Sequence, residues 1–111
     1  MQVNGELIAI RVGYSILREL QAGGERPLAT HYGLTEVEYL RMITLLERQG
    51  YIERVLRVGD RFSLKPTRLT AKGVAVLMEK SHFEVDYPTS KEDLRTWVQV
   101  DKELYSNGAE D

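Results

Sequence analysis

A chain of 111 residues suits one cooperative core and is short for two domains of ordinary size. With 42% hydrophobic and 29% charged residues it has a globular composition; no apolar run nears the roughly 20 residues of a bilayer span, and the lack of cysteine excludes disulfides, thiolate chemistry and thiolate-bound zinc. The formal net charge of -2 conceals a gradient, because residues 51–73 hold six Arg or Lys against two Asp or Glu, a local excess of +4, while residues 74–111 hold four against nine.

Met1-Gln2-Val3-Asn4-Gly5-Glu6 lacks the basic start and apolar stretch of a secretory signal, so a cytoplasmic location and no membrane partner are expected. The first predicted helix covers residues 6–21, where Ile10, Tyr14, Leu17 and Leu20 recur at helical spacing; Asn4 can cap it, Gly13 weakens it slightly and Gly23-Gly24 can end it. Pro27 to Gly33 is long enough only for a short helix, with Pro27 suited to its first turn. Thr35-Glu36-Val37-Glu38 is a capping box that starts a longer helix over residues 35–49. There Tyr39, Met42, Ile43 and Leu46 fall at i, i+3, i+4 and i+7 and form its core face, and Gly50 provides its exit.

Residues 51–58 and 61–65 bracket Gly59-Asp60, a two-residue type II′ turn with glycine first, and are read as a hairpin that Pro66 stops. Thr70 caps a helix through Val74, Val76 and Leu77 to Lys80. Residues 81–89 read as a turn-rich connection, after which Ser90 and Asp93 form a capping pattern for a helix through Leu94, Trp97, Val98 and Leu104. That apolar stripe is compatible with intramolecular packing or with a homodimer surface. The fold class expected is α+β: a winged helix with a helix-turn-helix core, a β-hairpin wing and an additional C-terminal helix. One domain is expected over residues 1–105, with a frayed tail at residues 106–111.

Four blocks, Tyr14-Ser15-Ile16-Leu17-Arg18-Glu19-Leu20, Gly33-Leu34-Thr35, Leu45-Leu46-Glu47-Arg48-Gln49-Gly50-Tyr51-Ile52 and Leu69-Thr70-Ala71-Lys72-Gly73, occur in an order that resembles the YjcQ-like winged-helix family over residues 7–80. The resemblance implies that the helix of residues 35–49 takes the recognition position, with Arg41, Thr44 and Arg48 available to DNA, and that Arg57 and Arg61 lie in the wing. It also implies small bacterial and phage-related relatives.

The local positive charge adds Arg54 and Lys65 to the candidate phosphate contacts beside Arg57 and Arg61. Arginines on the helix can read guanine edges in the major groove. The expected function is therefore sequence-selective binding of double-stranded DNA, as a small transcriptional regulator. Glu36, Glu38 and Glu47 on the same helix, together with the acidic total, keep a second reading open: a non-catalytic phage-related or adaptor module that binds a protein partner. His31, His82, Ser15, Ser63 and Ser90 form no constellation for metal binding, proton transfer or nucleophilic attack, and no glycine-rich run has phosphate-loop spacing. Neither an enzyme activity nor a cofactor is expected.

Overall fold

A computed structural model describes the backbone of residues 2–99 and the side chains of residues 9–99. Helix α1 (Gln2–Ala22) is the axis of the molecule. Of residues 11–20 only Arg18 escapes full burial, so this helix is covered on every side, a state that demands polar partners as well as apolar ones. Because α1 already runs at Gln2, Asn4 lies inside the helix and not at its cap. Ile10, counted with the core by spacing, is 40% exposed. Gly23 ends α1 at a φ of 81°, the left-handed geometry that favours glycine.

A 3-10 turn, Ala29–Tyr32, closes on Gly33 and leads into α2 (Glu36–Arg48). The capping box is formed as the sequence expects: Thr35 Oγ1 accepts the Glu38 N–H at 3.1 Å, and Glu38 Oε1 accepts the Thr35 N–H at 2.9 Å. Tyr39, Ile43 and Leu46 are buried, with Met42 packed against the same core. Truncating such a side chain typically costs about 2–5 kcal/mol.

The hairpin turns at Gly59-Asp60, with Gly59 at a φ of 63°. It is shorter than the sequence suggests. The expected strand over residues 51–58 is split into β1 (Ile52–Glu53) and β2 (Leu56–Val58), and the return splits into β3 (Arg61–Ser63) and β4 (Arg68–Leu69). Strand β2 pairs with β3, while β1 pairs with β4 at the base, both antiparallel. The cause is local. Arg54 takes a left-handed φ of 69°, which costs a non-glycine residue about 1–2 kcal/mol, and the buried Thr67 hydroxyl donates to the Arg54 carbonyl at 3.2 Å, fixing the kink. Across the Pro66 turn, the Arg26 guanidinium donates to the carbonyls of Leu64 at 3.0 Å and Thr67 at 3.2 Å.

The base of the hairpin sets the position of α3 (Ala71–Glu79). The Thr70 N–H donates to the Tyr51 carbonyl at 3.0 Å, the Thr70 hydroxyl donates to the Gly50 carbonyl, and the same oxygen caps the Gly73 N–H at 3.1 Å. Gly73 follows from that approach, because a Cβ at this position would stand 2.2 Å from the Tyr51 carbonyl oxygen.

Beyond α3 the connection is more ordered than its composition implies. Residues 81–86 form a 3-10 turn docked on α1, and after a further turn at Lys91–Asp93 residues 94–99 are helical. Ser90 caps this last element through the Glu92 N–H at 3.2 Å and not through Asp93. Phe83, Tyr87 and Trp97 surround Tyr14 with ring centroids 5.2, 6.2 and 6.3 Å away. The buried Arg11 guanidinium lies 4.5 Å from the Trp97 ring centre and donates to the Trp97 carbonyl at 3.1 Å. Ser15 Oγ joins the Tyr32 and Tyr87 hydroxyls, each at 2.8 Å, and Tyr87 donates to Glu19 Oε2 at 2.7 Å. The polar side chains that α1 buries are thus hydrogen-bonded. Among the described residues no helix is long and apolar enough to cross a membrane.

Tyr14, Tyr32, Tyr39 and Tyr87 all have phenol pKa values above the ordinary range, chiefly because burial disfavours the phenolate. Folded values above unfolded ones mean stability that is complete below about pH 10 and lost as pH rises toward the folded values. Unfolding free energy measured against pH should stay flat through neutrality and fall in the alkaline range, with tyrosinate absorbance appearing as the fold is lost. Ionisation of all tyrosines near pH 10 with the fold intact would contradict this burial. Gly73→Ala should destabilise the protein by about 1–3 kcal/mol in denaturant titration, the usual cost of overpacking. Gly24→Ala is the control, since an added Cβ there meets nothing within 4 Å; equal effects of the two substitutions would reject the close approach.

Candidate nucleic-acid interface

Helix α2 turns Tyr39, Ile43 and Leu46 inward, and that leaves Arg41, Thr44 and Arg48 along its outer side at i, i+3 and i+7. Arg41 and Arg48 are exposed and Thr44 is partly covered. The hairpin lies against this helix through Phe62, whose ring centre is 5.9 Å from that of Tyr39. Arg57 stands directly opposite Phe62 and so shares its face, while Leu56, Val58, Arg61 and Ser63 belong to the other face.

Arg57 does not extend freely from the wing. Its Nη2 donates to Thr44 Oγ1 at 3.4 Å and forms an ion pair with Glu47 Oε1 at 2.8 Å, bridging hairpin and helix. Arg68 is likewise paired, with Glu53 at 2.7 Å across β1 and β4. Among the described residues Arg41, Arg48, Arg54, Arg61 and Lys65 have no ion-pair partner. Five of the seven candidate DNA contacts are therefore cations without an ion-pair partner among the described residues, and the other two, Thr44 and Arg57, are in contact with each other.

The three carboxylates of α2 divide into two kinds. Glu38 is held in the capping box and Glu47 by Arg57. Glu36 lines a shallow groove with Val37, Leu40, Asp60, Arg61 and Phe62, between the start of α2 and the tip of the hairpin. The outer stripe of Arg41, Thr44 and Arg48 thus contains no carboxylate, whereas the groove at the helix start contains two.

A relative in Bacillus subtilis strain 168, the uncharacterized protein YjcQ, is 32% identical over 92 residues, covering 80% of this chain and 96% of the relative. The chain belongs to the YjcQ family. No family model matches the sequence, and no solved structure matches it significantly. Two of the four blocks that carried the resemblance are contact partners in this YjcQ-family chain. Gly50-Tyr51 of the third block meets Thr70 and Gly73 of the fourth.

The expected dimer stripe needs correction. Leu94, Trp97 and Val98 are 1%, 4% and 0% exposed, buried in the chain's own core with Trp97 against Arg11 and Tyr14 of α1, so these side chains are not available to a second copy. Leu104 lies outside the described residues, as does the tail at residues 106–111. An amphipathic pattern records only that one face needs cover, and here the chain itself supplies it. Sequence reading missed Arg26 and the Glu47–Arg57 pair. Arg26 fixes the β3–β4 turn from 38 or more residues away, and no local pattern signals such a contact. The Glu47–Arg57 pair is hidden for the same reason, since only the hairpin's docking brings the two together.

Proposed function

We propose that this YjcQ-family chain binds double-stranded DNA selectively and acts as a small cytoplasmic transcriptional regulator. One observation carries the reading: the outer side of α2 presents Arg41 and Arg48 without ion-pair partners among the described residues, while Glu38 is engaged in the capping box and Glu47 is paired with Arg57. In this reading α2 enters the major groove, where the arginines reach guanine edges and Thr44 offers a hydroxyl. Arg54, Arg61 and Lys65 of the hairpin segment neutralise backbone phosphates and release their counterions. The net charge of -2 is no obstacle, because residues 51–73 carry a local excess of +4.

A second reading, a protein-binding adaptor, is favoured by the exposed Val37, Leu45, Leu56 and Val58 that stand among these cations. Salt-dependent binding separates the two. Binding of purified protein to a mixed-sequence duplex, measured at several salt concentrations, should weaken as salt rises. Arg61→Ala together with Lys65→Ala should flatten the log–log slope by up to about two units, one for each lost phosphate contact. Arg41→Ala and Arg48→Ala should instead change the preference between sequences, with circular dichroism confirming that every variant is folded. No binding of the folded wild type to any duplex at low salt would move the assignment to the adaptor. Salt-sensitive binding indifferent to Arg61 and Lys65 would reject the hairpin as the electrostatic contact.

A further inference from the structure

Glu47 lies in the seam between α2 and the hairpin, outside the groove that Glu36 and Asp60 line, and its partner is the wing arginine that the fold brings against the candidate DNA face. The Arg57 guanidinium is ion-paired with Glu47 Oε1 at 2.8 Å and donates to Thr44 Oγ1 at 3.4 Å, with 41% of the Arg57 side chain and 34% of the Glu47 side chain exposed. Two properties follow. The pair holds Arg57 on the side of the hairpin that faces α2, against Thr44 and Glu47, instead of leaving a long side chain to sample solvent. It is also exchangeable, because a half-exposed ion pair gains little over two hydrated ions and water reaches both partners.

We propose that Glu47 is a positioning residue that occupies, in the free protein, the place a DNA phosphate takes on Arg57 in the complex. Carboxylate and phosphate present the same geometry of paired oxygens to a guanidinium, so one can replace the other without moving the arginine. On binding, the phosphate takes over the Arg57 donors, Glu47 returns to water and the Thr44 hydroxyl remains as the fixed neighbour. Affinity is thereby restrained by the pair that has to open, while the orientation of Arg57 is set in advance. This role rests on the duplex-binding reading and deepens it: α2 and the hairpin then act as one phosphate clamp whose gap is closed by Glu47 until DNA arrives.

A double-mutant cycle of Glu47→Gln and Arg57→Ala tests the role, read as binding to the same mixed-sequence duplex at low salt. Removal of the competing carboxylate should tighten binding by about two- to fivefold when Arg57 is present, the scale of one exposed ion pair. In the Arg57→Ala background the same substitution should leave affinity unchanged. An equal gain in both backgrounds would overturn the proposal, because Glu47 would then repel DNA through space and not by holding Arg57. No gain in either background would overturn it as well. Absence of duplex binding by every member of the cycle would remove the DNA reading itself, and this role with it. Thermal unfolding of all four proteins guards the comparison, and little spread is expected from an exposed pair.

Discussion

The contact between the Tyr51 carbonyl and the start of α3 fixes the direction of everything that follows α2. That oxygen accepts the Thr70 N–H at 3.0 Å and has Gly73 against it where a Cβ would stand 2.2 Å away. The chain leaving α2 must pass under α3, and β1 must pair with β4 at the same place. With the base so held, the hairpin rises beside α2, Phe62 meets Tyr39, and Arg57 reaches Glu47 and Thr44. A displaced base would carry the wing away from the helix and dissolve the shared basic face.

What could be read from the sequence is what local chemistry decides. The Thr35–Glu38 capping box, the Gly59-Asp60 turn and the Thr70 cap each involve residues at most three positions apart, and all three form. The inward stripe of α2 is equally local, since helical spacing alone selects Tyr39, Ile43 and Leu46. What could not be read depends on partners distant in sequence. Arg54 enters the left-handed region because Thr67 and the β1–β4 ladder hold its neighbours, which divides a strand that β-forming residues would otherwise continue. Residues 81–87 look like a connection until Tyr14, Ser15 and Trp97 are placed beside them. Those rings and hydroxyls then turn an acidic, turn-rich stretch into a wall of the core.

The polar side of α1 repeats that lesson energetically. Arg11, Ser15 and Glu19 sit within a buried helix, and each is matched by a group from the last third of the described chain. An unmatched buried hydroxyl or charge costs far more than one hydrogen bond returns, so this wall requires the whole set. Glu84 belongs to it at the surface. Desolvation would raise its carboxyl pKa, but hydrogen bonds from Tyr14 and Arg18 outweigh that and hold it below the ordinary value. The described C-terminal segment therefore completes α1, and Leu94, Trp97 and Val98 are covered within the chain.

Glu84 and Asp86 pair with Arg18 and Arg11 of α1, while Arg41, Arg48, Arg54, Arg61 and Lys65 of α2 and the hairpin segment have no ion-pair partner among the described residues. A nuclear magnetic resonance titration of isotope-labelled protein with a mixed-sequence duplex at low salt tests that arrangement most directly. The amide signals of Arg41, Thr44, Arg48, Arg57 and Arg61 are expected to move together, with those of residues 81–86 unaffected. Shifts centred on residues 81–86, or none at any duplex concentration while the protein remains folded, would contradict the assignment of the α2 and hairpin face to DNA.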